Sequence, residues 1–218
     1  MSDIFEEVDE DVRRDKAAEL WGKYQNFVYA AALLIVLATA GYRYYDYRQT
    51  EARQAAGAAF QQALQLDQDG KTADAQAALG KLGTEAPGGY RMLSRFAVAA
   101  ETAKTDAKGA AAAFDALAND SSVDPLFRDA ARLRAALARL DSGEIDAAKG
   151  ALETLAAPNG VYRQTARLTL GSLALQQKDF AGAGKWLDLV VADAETPETE
   201  RRAAEKLLGI VASNAPAK

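Results

Sequence analysis

The chain of 218 residues contains neither cysteine nor histidine. Ser-His-Asp and Cys-His catalytic arrangements are therefore excluded, as are zinc sites built from cysteine and histidine. Only carboxylates, lysine, tyrosine, serine and threonine remain for acid-base or nucleophilic chemistry. Without cysteine there is also no disulfide framework that would indicate an oxidising compartment. We therefore predict a protein that is not an enzyme and that holds no metal centre.

The sequence also lacks the features of nucleotide and nucleic-acid binding. It has no GxxxxGK[ST] motif and no GxGxxG motif after a strand, and these are the loops that hold phosphates. The formal net charge is -5, from 26 basic and 31 acidic residues, so the basic excess of a nucleic-acid-binding surface is missing. We predict no cofactor and no nucleic-acid partner.

A long uncharged segment is present near the N-terminus. Residues 24–42, YQNFVYAAALLIVLATAGY, lie between Lys23 and Arg43. At about 1.5 Å of rise per residue this stretch reaches roughly 28 Å, close to the bilayer hydrocarbon thickness of about 30 Å. Aromatic rings, which favour the headgroup level, crowd its two ends: Trp21, Tyr24, Tyr29, Tyr42, Tyr44, Tyr45 and Tyr47. We predict one uncleaved transmembrane anchor that contacts the lipid bilayer through residues 24–42.

Two other interpretations of this segment are open. A cleaved signal peptide would use the small residues Ala38-Thr39-Ala40 before Gly41, but such a peptide begins with a short basic stretch. Residues 1–23 instead hold eight acids and four bases. The second alternative is a buried core helix, for which the terminal tyrosines have no explanation.

The basic residues around the anchor give its orientation. Arg13, Arg14, Lys16 and Lys23 precede it, and Arg43, Arg48 and Arg53 follow it. The cytoplasmic side of an anchor usually carries more Lys and Arg than the other side. Because four basic residues precede the anchor and three follow it, we predict a cytoplasmic N-terminus and a C-terminal part outside the cytoplasm. The predicted organisation is an acidic cytoplasmic tail (1–23), the anchor (24–42), a repeat domain (43–213) and a short tail (214–218).

Beyond the anchor, a helical pattern repeats. A small residue is followed four positions later by a large one, and the large residues Leu79, Phe114, Leu152 and Leu187 recur at steps of 35, 38 and 35. Prolines, which stop or start helices, fall between the copies. The pattern predicts a first helix that runs from the anchor to about residue 66 and pairs with a helix at 72–85. Three further helix pairs are predicted at 89–104 with 107–119, 125–141 with 145–157, and 160–177 with 180–194. A final helix at 198–213 is predicted to cap the stack.

This period resembles that of tetratricopeptide repeats, which have two helices per unit of about 34 residues. Leu170-Gly171 matches the Leu-Gly pair of the first helix, Ala183 follows twelve residues after the glycine, and Leu187 and Val190 occupy later apolar positions. The small residue lets the two helices approach, and the large one fills the gap to the next pair. We predict an all-α chain, with an N-terminal transmembrane helix followed by a tetratricopeptide-like helical-hairpin solenoid.

The layout also resembles the bacterial ancillary SecYEG translocon subunit family. The resemblance is carried by the acidic start, the single anchor, the aromatic and arginine cluster Tyr42-Arg43-Tyr44-Tyr45 and the repeats that follow. It implies a single-pass inner-membrane protein with periplasmic repeats. Its partners would be the SecYEG translocon and a membrane-anchored periplasmic chaperone of the prolyl-isomerase class. A repeat scaffold for another envelope complex, in division or respiration, is the alternative.

A binding surface is predicted from the repeat register. In tetratricopeptide proteins the first helix of each pair lines the concave side, and here those helices carry mostly apolar candidates. They suit an apolar or amphipathic helical segment better than an acidic peptide. The same leucines could instead belong to the core between the helices. The candidates are Met92, Arg95, Leu133, Leu137, Leu168 and Leu175.

Overall fold

The computed structural model describes residues 3–214, all of whose regular structure is helical. The all-α prediction is therefore confirmed for this part of the chain, and the predicted terminal tails extend outside it at residues 1–2 and 215–218. The helices are α1 (Asp3–Gln68), α2 (Thr72–Glu85), α3 (Gly88–Ala103), α4 (Ala107–Ala118), α5 (Pro125–Asp141), α6 (Ile145–Leu155), α7 (Arg163–Gln176), α8 (Phe180–Ala192) and α9 (Glu198–Asn214).

The predicted helix ends after the anchor agree with these bounds to within three residues. The largest difference is at α7, which begins at Arg163 and not at residue 160. Pro158, Asn159 and Gly160 form a turn instead, in which the Gly160 amide donates to the Ala157 carbonyl at 2.9 Å. A Cβ atom at Gly160 would lie 2.3 Å from the Leu155 carbonyl oxygen. The close backbone approach at this glycine delays the start of the helix.

The described residues divide into two units, with the boundary between Ala55 and Ala56. The apolar segment lies in α1, within a stretch long and apolar enough to cross a membrane: its best 18-residue window has a mean hydropathy of 1.5 and no buried residue. Leu34 and Ile35 are 68% and 65% exposed. A helix that is apolar on all sides belongs in a core or in a membrane. The core-helix alternative is wrong, because a core helix would be buried.

The second unit is built on one small residue in each helix pair. Ala75, Ala110, Ala148 and Ala183 are all completely buried. Each lies in the second helix of its pair, at the small position of the predicted repeat. The large residues four positions later are at most 3% exposed, and they are Leu79, Phe114, Leu152 and Leu187. The repeat register is therefore confirmed.

Successive helices from α2 to α9 contact one another along the chain, and α7 also contacts α9. Leu152 of α6 packs with Leu133 of α5 and Leu170 of α7. Leu187 of α8 packs with Ala174 of α7 and Ala204 of α9. These two large residues thus join their own pairs to the next element, as stacked repeats require.

Gly171 sets the closest approach between α7 and α8. A Cβ atom at this position would lie 2.7 Å from Cγ and Cδ2 of Leu187. Leu187 is fully buried, so it has no space into which it could move. The glycine of the Leu-Gly pair therefore lets α7 lie directly on the large residue of α8.

Three of the four turns inside the helix pairs share one conformation, and the α3–α4 turn does not. Gly70, Gly143 and Lys178 each precede the N-cap of the second helix and have φ angles of 77°, 80° and 61°. Glycine adopts this left-handed region without cost, whereas lysine does not. At the α8 N-cap, the Asp179 carboxylate accepts from the Gly182 amide at 2.8 Å, which satisfies one free helix N–H group.

Truncation of the large residues should destabilise the fold. We expect Leu152→Ala and Leu187→Ala each to lower the free energy of unfolding by about 2–5 kcal/mol, because each leaves a cavity in a closed site. Leu189→Ala is the matched control on α8: Leu189 is 46% exposed, and its truncation should cost less than about 0.5 kcal/mol. Urea unfolding of the full chain in detergent, followed by tryptophan fluorescence, measures all three. Costs below about 0.5 kcal/mol for both buried leucines would contradict their packing role.

Candidate binding surfaces

Five of the six residues predicted to bind a partner, all except Arg95, lie in or against the core of the second unit. Leu133 is only 8% exposed and belongs to the cluster around Leu152, against which Leu137 packs. Met92 packs on the cluster of α3, α4 and α5. Leu168 and Leu175 pack on the cluster around Leu187. All except Leu133 keep part of their surface accessible. These five side chains are thus distributed over three packing clusters, and the binding role of all six residues stays a prediction.

Arg95 is the charged member of the six, and it lines a cavity of about 300 Å³. Its guanidinium donates to Oδ2 of Asp120 at 2.5 Å. The hydroxyl of Ser122 also donates to Asp120, and this bond, followed by that from Arg95, lowers the pKa of Asp120 well below its usual range. The positive charge of Arg95 is therefore already paired. The cavity is lined by Leu79, Gly80, Gly83, Thr84, Arg95, Val98, Ala113 and Ala116.

A second cavity, of about 480 Å³, lies where α7 and α9 begin. Its basic residue is Arg163, whose Nε donates to Asp193 at 2.6 Å and whose NH2 donates to Glu195 at 2.6 Å; Glu195 also lines the cavity. Arg167, which is 7% exposed, donates to the Ala156 carbonyl at 3.0 Å and to Asp193 at 3.2 Å. The cavity's arginine is thus also paired with carboxylates. Asn159, Val161, Gln164, Thr165, Pro197 and Glu200 complete the lining.

Asp193 ties α8 to α7 through these bonds. The hydrogen bond from Arg163 lowers the pKa of Asp193 from its ordinary 3.8 to about 2. The Arg201 guanidinium of α9 donates to the backbone carbonyls of Val191 and Asp193 at 2.7 and 3.1 Å. The end of α8 is therefore held to both of its neighbours by charged groups. Helical periodicity gives no sign of this network, because Arg163 and Arg167 precede Asp193 by 30 and 26 residues.

A third cavity, of about 250 Å³, lies between the pair α5–α6 and helix α7. The polar residues that line it are Asp141, Thr169, Ser172 and Gln176. Its apolar wall consists of Leu140, Ile145 and Leu173. Thr169, Ser172 and Gln176 are spaced at three and four residues, so they share one face of α7. This spacing is the one sequence signal that could have indicated the site.

No group of three or more acidic side chains suited to a metal ion occurs among the described residues. The large apolar side chains exposed in the second unit are few, and of these only Leu126 and Phe127 are neighbours in the sequence; they are 46% and 41% exposed. Single exposed apolar residues are normal for a protein surface. The three cavities are candidate ligand sites of this unit.

The Asp193 contacts predict a pH-dependent stability. We expect Asp193→Asn to lower the urea midpoint of the full chain at neutral pH, because Arg163 and Arg167 lose their carboxylate. The folded pKa of Asp193, about 2, lies below its ordinary value of 3.8. The Asp193 carboxylate therefore contributes fully to the free energy of unfolding above pH 3.8, and this contribution is lost as the pH falls from 3.8 to about 2. The difference in urea midpoint between Asp193→Asn and the natural chain should therefore become smaller as the pH falls through that interval. Asp188→Asn, at an exposed position of α8, is the control; an equal effect of both variants would contradict the role of Asp193.

The comparisons with known proteins agree with this architecture. Residues 18–160 match the family model described as a tetratricopeptide repeat-like domain. The search of curated proteins and the search of solved structures each found no match. The family match covers more than half of the chain and includes the pairs α3–α4 and α5–α6. With its buried alanines and stacked helix pairs, the chain belongs to the family of tetratricopeptide repeat-like domains.

Proposed function

We propose that this chain is a membrane-anchored periplasmic protein-interaction module of the Sec translocon and its periplasmic chaperones. The observation that carries the proposal is the order of two elements: one apolar helical segment, followed by a tetratricopeptide-like unit. Domains of that family act as protein-binding scaffolds and typically perform no catalysis. An anchored scaffold of this kind places a docking surface beside a membrane complex.

The tyrosines that follow the apolar segment support the anchor. Tyr42, Tyr44, Tyr45 and Tyr47 are between 62% and 70% exposed. At about 100° of rotation per residue they point to different sides of α1, so they form a ring around the helix. A ring suits contact with headgroups in every direction, whereas a contact with one partner helix would need a single face. At the other end, Lys23 lies 5.7 Å from the ring centre of Tyr24.

The packing of the second unit supports a mainly apolar contact with the partner. Val98, Ala113 and Ala116 line the cavity beside Arg95, and the charge of Arg95 is paired with Asp120. Leu137, Leu168 and Leu175 each keep part of their surface accessible. An apolar or amphipathic helical segment of the partner would gain free energy by covering such side chains.

The proposed orientation predicts which introduced cysteines react from outside the cell membrane. Because the chain has no cysteine, Lys16→Cys or Ala147→Cys would provide its sole thiol, each at an exposed position. We expect a membrane-impermeant maleimide to label the residue-147 variant on intact spheroplasts, and the residue-16 variant only after lysis. The reverse pattern would contradict the orientation. A mature N-terminus at Gly41 would show that the segment is a signal peptide.

Affinity purification from detergent-solubilised membranes tests the partners. We expect SecY and a membrane-anchored prolyl isomerase to be enriched with the full chain. The same two proteins should be enriched with a variant in which a leucine-rich span replaces residues 24–42. A chain that ends at Arg53 should lose the isomerase, because it has no repeats. Leu168→Ala and Leu175→Ala should lower recovery of the isomerase while helical circular dichroism is retained. Enrichment of a division or respiratory complex instead would overturn the Sec assignment and support the scaffold alternative.

A further inference from the structure

The cavity between the α5–α6 pair and α7 differs from the other two cavities because none of the described residues that line it is basic. Arg95 and Arg163, which line those two, are each paired with a carboxylate. The charged residue of the third cavity is Asp141, which is exposed and forms no ion pair among the described residues. We infer that this cavity binds a lysine or arginine side chain of a partner protein.

The hydroxyl groups of the cavity act as hydrogen-bond acceptors. Thr169 donates its proton to the Thr165 carbonyl at 2.7 Å, and Ser172 donates its proton to the Leu168 carbonyl at 2.9 Å. A hydroxyl has one proton and two lone pairs, so both oxygens retain acceptor capacity. With the Asp141 carboxylate, the cavity offers an acceptor-rich wall. Such a wall suits ammonium and guanidinium groups, which only donate.

The rest of the lining fits the stem of a basic side chain. Leu140, Ile145 and Leu173 provide an apolar surface, along which the methylene groups of lysine or arginine can lie while the charged end meets polar atoms. The volume of about 250 Å³ is below the roughly 300–1,000 Å³ of clefts that hold drug-sized ligands. The cavity therefore suits one inserted side chain better than a whole small molecule.

A metal ion fits this lining less well. Calcium takes about 6–8 oxygen ligands, several of them from carboxylates, and Asp141 is the one carboxylate among the seven lining residues. A single negative charge matches one monovalent organic cation. The inference rests on the proposed function in one respect, which is that the cation is supplied by a protein partner.

The test uses the isotope-labelled full chain in lipid nanodiscs, observed by NMR. The probes are N-acetyl-arginine methylamide and N-acetyl-lysine methylamide. We expect saturable shifts at the amides of Asp141, Thr169, Ser172 and Gln176. N-acetyl-citrulline methylamide has nearly the same shape as the arginine probe but no charge, and it should bind about tenfold more weakly, since a charge-assisted hydrogen bond is lost.

Asp141→Asn should weaken the binding of both basic probes about tenfold, because it removes the charged acceptor of the same charge-assisted hydrogen bond. Asp188→Asn is the matched control and should bind both probes with the affinity of the natural chain. An amide spectrum that matches that of the natural chain away from the substitution shows that each variant is folded. Equal binding of the citrulline and arginine probes, shifts confined to other residues, or equal behaviour of the two variants would overturn the inference. Tighter binding of spermidine than of either basic probe would assign the cavity to a free polyamine and would also overturn it. The affinity purification is read separately, so loss of the Sec partners leaves this result unaffected.

Discussion

The second unit depends on one constraint: the two helices of a pair can pack closely only where the residue at their interface has a very small side chain. Ala75, Ala110, Ala148 and Ala183 meet this constraint, and all four are fully buried. The close contact brings the large residue of the next turn into the space between elements, where it reaches the following helix. The clusters around Leu152 and Leu187 have this origin. Because each pair leaves an apolar face uncovered, the pairs are stable only as a stack.

Much of this fold could be predicted from the sequence, because the repeat supplies the same information several times. The large residue and the small one before it fix which face of each second helix is buried, and prolines separate the pairs. The bounds of α2 and α5 were predicted without error. The start of α7 was not, because Gly160 follows Pro158 in a turn whose geometry depends on the Leu155 carbonyl. That contact is between backbone atoms, and no periodicity in side chains reveals it.

The binding surfaces could be predicted only in part. Leu133 and Leu168 lie one repeat step of 35 residues apart, yet Leu133 is buried and Leu168 is half-buried. Equivalent positions differ because exposure depends on the distance to the neighbouring pair, and that distance is set by side chains from three or more helices. Cavities have the same dependence. The acceptor-rich cavity combines Asp141, at the end of α5, with hydroxyls of α7, which only the packed helices bring together.

The left-handed turn at Lys178 shows how stability is shared within a helix pair. Its φ angle of 61° is one that lysine adopts at a cost of about 1–2 kcal/mol, whereas the equivalent turns use Gly70 and Gly143. Offsetting that strain requires favourable contacts nearby, and the Asp179 cap and the buried Leu187 and Val190 provide them. The α7–α8 turn is therefore kept closed by the helices that it joins. The pair α5–α6, with glycine in its turn, carries no such strain at that position and has the more permissive backbone there.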